Sequence, residues 1–390
     1  MFFCIVCTVI ADEFACFAPT TQAQPVNDME MVYIQVITRH GMRSPIELFL
    51  NRSQRGKWTC NEPDLIAPRT STSPSKHYRY VFHKIDERYA EYPSSCQTGD
   101  LTTEGMKEHL ELGKAFRKYL VDTLKFLPEK LDPRVVQFIA SPIDRCFRSA
   151  ESFIDGLYEP ANPNEVITIQ TGTEAASTVV VNGYSCKELD EAQAEFENGE
   201  VMFSVVKDTY QYVKESLTNL GRGDCTLANV KDFCSWLAAF SCSDNPMPEY
   251  ITKTVVDKCN EFNGYFQYQR YNRLKYGPGL AASYILRNAF KAADESIATM
   301  NGKKFTLLSA HDTTIAAVLV ALGNLNNFMP PYASYLSMEL WKAKDQQIYV
   351  RYVFNGEPVK ISGFNETLVR FDDFRHSIAK SIDHCHDFPK

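Results

Sequence analysis

The chain alternates between short apolar runs of strand character and longer stretches of helical period. Met31 to Thr38 (MVYIQVIT) is rich in β-branched and aromatic residues and has almost no polar alternation. Such a run predicts a strand buried on both faces. Arg134 to Ala140 (RVVQFIA), Lys304 to Ser309 (KFTLLS) and Gln347 to Phe354 (QIYVRYVF) predict three more. Leu101-Thr102-Thr103-Glu104-Gly105 opens a helix reaching about Leu120, with Leu110, Leu112, Ala115, Phe116 and Tyr119 on one side. Thr102 or Thr103 can cap it. A second helix is expected after Ser141-Pro142-Ile143-Asp144-Arg145, running through Ser149, Ala150 and Phe153.

From Glu188 to Asp294 the period turns helical. Residues 188–220, 227–240, 249–267 and 280–292 read as four stretches, broken at Gly221, Pro246, Pro248 and Pro278. Strands on both sides of this block predict an α/β fold interrupted by a helical insertion. The expected parts are an α/β domain from residues 24–187 and 301–390, and a cap from residues 188–300. The 390 residues are 44 % hydrophobic and 23 % charged, enough to fill a large core. A net charge of −7 argues against nucleic acid as a partner.

The first eleven residues, MFFCIVCTVIA, form an apolar run of signal-peptide length, and small and polar residues follow to Ala23. Residues 1–23 are therefore expected to be a leader cleaved near Ala23, or a membrane anchor if left in place. The expected location is outside the cell or in a lysosomal or vesicular lumen. Twelve cysteines suit an oxidising compartment. Loss of Cys4, Cys7 and Cys16 with the leader would leave nine, an odd number, and Cys146 is the expected free thiol. Cys60 and Cys96 bracket an irregular stretch, which a bridge between them would tie down. The sequence leaves the pairing of Cys225, Cys234, Cys242 and Cys259 open. No cysteine pair has zinc-like spacing with histidine partners, so neither metal nor other cofactor is expected. Asn51-Arg52-Ser53 and Asn365-Glu366-Thr367 are glycosylation sequons for an exported chain.

Two segments carry the chemistry. Thr38-Arg39-His40-Gly41-Met42-Arg43-Ser44-Pro45 follows the first predicted strand, and Ser309-Ala310-His311-Asp312-Thr313-Thr314 follows the third. Carboxyl ends of strands are favoured ligand sites in α/β sheets. Arg39 and Arg43 offer permanent, planar charges that suit phosphate, and Arg145 lies at a predicted helix N-terminus after the second strand. His40 between two guanidiniums can act as a nucleophile toward phosphorus. The same cations disfavour its imidazolium. Asp312 can donate a proton to a leaving alkoxide and His311 can bond a phosphate oxygen. A lone His-Asp pair occurs by accident, and Asp144-Arg145 could be a local ion pair. The conjunction of both motifs at strand ends is far more specific.

The RHGxRxP and HD strings resemble those of the histidine acid phosphatases, a branch of the phosphoglycerate-mutase-like superfamily. So do Leu101-Thr102 through Gly105, Asp144-Arg145…Ser149-Ala150, and Pro330-Pro331-Tyr332-Ala333-Ser334. The resemblance runs from Met31 to Phe374. It is nearest to the lysosomal and prostatic type, with likeness to glycosaminoglycan xylose-phosphate phosphatases. It implies a mixed central sheet flanked by helices with an α-helical cap, and no metal. It also implies a phosphohistidine at His40, phosphate binding by Arg39, Arg43, Arg145 and His311, and proton donation by Asp312. Cys186–Cys385 is implied as a disulfide, and a homodimer is implied as the assembly. Tyr335 stands where the prostatic type has a bridging cysteine, and Ala140 where an arginine is common.

The expected function is hydrolysis of small phosphate monoesters. Rival readings are a phytase or other inositol-phosphate phosphatase, which wants a basic mouth, and a phosphosugar phosphatase. Outside enzymes, an inactive phosphate- or glycan-binding protein remains as the alternative.

Overall fold

The computed structural model describes residues 15–51, 54–60, 96–158, 167–172, 177, 179–181, 186–298, 302–326, 328–383 and 385. Its first element is β1 (Glu30–Arg39). Ile34 and Val36 point into one apolar layer, and Tyr33 and Ile37 into another. That two-sided burial is why the run lacks polar alternation. β1 pairs in parallel with β4 (Phe305–Ala310), and β4 with β2 (Val136–Ala140), which carries β3 (Ile169–Gln170) at the edge. On its other side β1 runs antiparallel to β5 (Tyr335–Lys342), followed by β6 (Ile348–Phe354) and β7 (Glu357–Val359). The short β8 (Leu368–Arg370) also pairs with β6. The sheet is mixed and flanked by helices, as expected.

The register aligns the ends of the parallel strands. Arg39 lies opposite Ala310, and Ser309 opposite Ala140. The residues after β1, β2 and β4 therefore leave the sheet at one level, which is where both sequence motifs sit.

One face is covered by α1 (Thr103–Arg117) and α2 (Asp144–Leu157). Thr102 caps α1 by accepting the Gly105 amide at 3.1 Å. The two helices touch backbone to backbone. A Cβ at Gly113 would lie 2.0 Å from the Phe153 carbonyl oxygen, and one at Gly156 2.2 Å from that of Leu110. After α1 the chain winds more loosely, as a π-helical turn over Lys118–Thr123. The other face carries α7 (Ser283–Ala298), α8 (Asp312–Ala321) and α9 (Phe371–Ile382).

The inserted block is helical but divided differently from the expectation. The 188–220 stretch breaks at Asn198-Gly199 into α3 (Lys187–Glu197) and α4 (Glu200–Asn219). α5 spans Leu227–Phe240 and α6 Lys253–Asn272. A separate apolar cluster joins α4, α5 and α6 to Met42, Phe49, Leu50 and Trp58. The last helix assigned to the cap from sequence is α7, and it packs on the sheet instead. Its apolar stripe of Ile285, Leu286, Ala289, Phe290 and Ala293 meets a sheet surface that periodicity cannot name.

The expected leader boundary near Ala23 also changes. Cys16 is disulfide-bonded to Cys242, Tyr332 donates its amide to the Cys16 carbonyl at 2.9 Å, and Ala23 is buried. Residues 16–23 thus belong to the folded body. The expected leader residues 1–14 lie outside the described residues. With Cys16 retained, the parity argument changes as well. Cys60–Cys96 and Cys186–Cys385 form as expected, and Cys234–Cys259 is a fourth bridge. Cys146 is a buried free thiol as expected, and Cys225 is a second, exposed one. The sequon residues Asn51 and Asn365 are both exposed. No described helix is long and apolar enough to cross a membrane.

Candidate active site

The strand ends bring His40, Arg39, Arg43, Arg145, His311 and Asp312 into one electrostatic environment. His40 follows β1 directly, is 3 % exposed, and donates its amide to the Ala310 carbonyl at 3.0 Å. Its Nδ1 lies 2.8 Å from the Gly41 carbonyl oxygen. A carbonyl can only accept, so Nδ1 carries the hydrogen and Nε2 keeps its lone pair. Burial pushes the His40 pKa well below its ordinary value, and Arg145, Arg39, His311 and Arg43 push it further the same way. The sequence correctly gave the direction from the arginines. Burial is nevertheless the larger cause.

Arg39 is buried, 5 % exposed, and its contacts fix its plane. Nη2 meets Asp312 Oδ2 at 3.0 Å, Nη1 donates to the Pro330 carbonyl, and the guanidinium lies 4.1 Å from the Tyr332 ring centroid. Arg43 is also buried and donates to the Ser44 carbonyl at 3.1 Å. Arg145 enters from the first turn of α2, with its Nε buried and without a hydrogen-bond partner. Asp144 pairs with Arg148 at 2.8 Å rather than with Arg145. The local ion pair considered from sequence is therefore not formed, and Arg145 keeps its charge for the site. Burial lowers its pKa, and the neighbouring Arg43 adds to that.

His311 follows β4 and caps the start of α8, where Asp312 is the first residue. The rings of His40 and His311 lie edge to face, 5.8 Å between centroids. His311 Nε2 is 2.8 Å from the Ser141 hydroxyl. Burial and Arg145 bring its pKa down to about 4, so the imidazole is neutral above that pH. Burial alone would raise the Asp312 carboxyl. Arg39, His311, Arg43 and the Thr313 amide outweigh it and hold the group below the ordinary carboxylate range. The Thr313 amide donates to Oδ1 at 2.7 Å.

The turn that carries His40 is gripped from two sides. Ser149 Oγ accepts the Gly41 amide at 3.1 Å, Thr102 donates its amide and hydroxyl to the Met42 carbonyl, and His109 Nε2 holds the Arg39 carbonyl at 3.0 Å. A Cβ at Gly41 would sit 2.3 Å from the Gly105 carbonyl oxygen, so only glycine lets α1 lie this close. From the other side Ser334 accepts the Arg39 amide and Ala333 donates to the His40 carbonyl. Ala333 holds φ at 54°, a left-handed conformation that strains a side-chain-bearing residue. Sequence reasoning missed roles for Ser141, Ser149, His109 and Tyr332. Ser149 and Tyr332 lay inside quoted motifs. His109 and Ser141 carried no local signal, because only folding brings them to the site.

A model of the histidine phosphatase superfamily (branch 2) matches residues 30–355. The chain belongs to that superfamily. Lysophosphatidic acid phosphatase type 6 of Mus musculus is 25 % identical over 383 residues, covering 93 % of this chain and 88 % of the relative. Lysosomal acid phosphatase of Xenopus laevis is 28 % identical over 277 residues, covering 67 % and 63 %. Among solved structures, the apo phytase of Hafnia alvei superposes with a TM-score of 0.62 at 13 % identity, over 94 % of this chain and all of the other. At that identity the likeness speaks for the fold. The superfamily and these acid phosphatase relatives make the chain a phosphomonoesterase that acts on small phosphate esters.

Among the described residues no group of His, Cys, Asp and Glu is arranged to hold a metal ion. The site can bind a phosphate dianion on guanidiniums, present a neutral imidazole to phosphorus, and offer a carboxyl group near the leaving oxygen.

Proposed function

We propose that the protein hydrolyses phosphate monoesters in two steps through a phosphohistidine at His40. Arg39, Arg43 and Arg145 hold the transferring group, with His311 lining its pocket. His40 Nε2 attacks phosphorus, and the bond to the ester oxygen breaks as Asp312 delivers a proton to that oxygen. Asp312 then takes a proton from water, the resulting hydroxide attacks the phosphohistidine, and inorganic phosphate leaves. Asp312 is anionic in the empty site. A bound dianion competes for Arg39 and adds negative charge, and both effects raise the carboxyl pKa toward protonation. The observation that carries this reading is the His40 tautomer, with Nδ1–H tied to Gly41 and Nε2 open among three arginines.

The oxidising chemistry of four disulfides supports residence outside the cytosol, in a lysosomal or secretory lumen. The negative net charge supports substrates smaller and less charged than inositol hexakisphosphate. The test is a rapid acid-free quench of turnover with ³²P-labelled ester. A label stable to alkali, labile to acid and mapped to His40 is expected. Labelling elsewhere, or full activity in His40→Ala, overturns the reading.

A further inference from the structure

Glu108 lies in the second turn of α1, outside every motif the sequence singles out. Its Oε2 accepts the Met42 amide at 3.1 Å. Met42 sits between His40-Gly41 and Arg43, so this bond holds the middle of the turn that carries both groups. The Met42 carbonyl is held by Thr102 and the preceding amide by Ser149. The backbone on either side of the nucleophile is thus pinned peptide by peptide, and a buried amide left unpaired would favour another path for the turn.

We propose that Glu108 is a positioning residue, fixing through the Met42 amide the geometry in which His40 and Arg43 meet the phosphoryl group. The inference rests on the phosphohistidine reading. Burial raises the Glu108 carboxyl to about 8, with Glu104 on the same helix adding to the shift. The Met42 amide and Arg39 pull the other way less strongly. The neighbouring His109 is neutral above about 4, and Arg148 of the facing α2 is neutralised by Asp144. Glu108 therefore works as an uncharged acid whose carbonyl oxygen takes the amide. Its other oxygen, Oε1, is buried without a protein partner. Ionisation on the alkaline side would place a negative charge near Arg39 that competes with the phosphate for that guanidinium. In the empty site His40 and His311 are already neutral, and Asp312 already ionised, well below that pH. Any limb that Asp312 adds in the substrate complex is common to wild type and Glu108→Gln.

The experiment compares full-length wild type, Glu108→Gln and Glu108→Ala with nitrophenyl phosphate from pH 5 to 9.5, with melting temperatures alongside. The amide variant keeps a neutral acceptor of the same shape. It is expected to retain kcat at pH 6 and to lack the fall in kcat that is expected of wild type near pH 8. Alanine is expected to lower kcat by about 10- to 100-fold with a much smaller change in KM, as a misplaced nucleophile does. Wild-type kcat in Glu108→Ala, or the same alkaline limb in wild type and Glu108→Gln, overturns the positioning role alone. Absence of turnover in folded wild type overturns the phosphohistidine reading, and this one with it.

Discussion

Arg39 and Asp312 form a 3.0 Å ion pair across the ends of two neighbouring parallel strands. In the proposed mechanism the pair joins a phosphate-binding cation to the proton donor. Arg39 holds the Asp312 carboxyl below the ordinary carboxylate range, so under the proposed mechanism the acid gains its proton only when a bound dianion competes for the arginine. On that reading, substrate binding and proton donation are coupled through this one ion pair.

Asp312→Asn tests this coupling. The amide cannot donate a proton to an alkoxide, but it still fills the space beside Arg39. Alkyl phosphates should lose about 10²- to 10⁴-fold in kcat, the usual worth of general acid catalysis. Nitrophenyl phosphate should lose much less, because nitrophenolate scarcely needs the proton. Equal losses on both esters would count against Asp312 as donor.

The pH dependence follows from the buried histidines. His40 has its pKa depressed in the fold, so the neutral nucleophile survives well below pH 6.5. The acid limb of kcat/KM is expected far below that value. Arg145→Gln removes one depressing charge, so the limb should move to higher pH. It should still stop short of 6.5, since burial, the larger cause, remains. One lost charged contact should also raise KM by about 10- to 100-fold. Stability follows the same sign. His109 and His311, both depressed to about 4, bind fewer protons folded than unfolded below 6.5. Their contribution is present above 6.5 and is lost as the pH falls through 4. An unmoved limb in Arg145→Gln would show that its charge does not reach His40.

The bridge between Cys16 and Cys242 makes a third prediction. It ties the N-terminal segment to the cap, and the same segment exchanges backbone hydrogen bonds with Tyr332, the ring beneath Arg39. Peptide mapping of the protein without reduction should recover Cys16 linked to Cys242. Cys242→Ser should lower stability by about 2–5 kcal/mol, the range for removal of a native disulfide. It should also raise KM as Tyr332 loosens. Recovery of mature chains beginning at residue 24 with full activity would refute this role for the segment.

The amino-acid sequence by itself determined the α/β class and the helical insertion, and it named six polar residues that the fold brings together. Each rests on information local to a few residues: a doubly buried run such as Met31–Thr38, a helical period, or a motif such as Arg39-His40-Gly41 at a strand end. It also singled out Cys146 as a free thiol from its place in an apparently buried helix, although the parity argument for an odd thiol was undone by the retained Cys16. Only the tertiary structure decided where the cap ends, that Cys16 belongs to the body, and that Arg145 escapes Asp144. Only it brought His109, Ser149 and Glu108 to the turn around His40, and Ser141 to His311. These are contacts between residues tens to hundreds of positions apart, and a helical glutamate or serine looks the same in sequence whether it meets solvent or a buried amide. Local pattern encodes which elements form. Packing alone fixes which of their polar groups face one another, and with that the charge state of each.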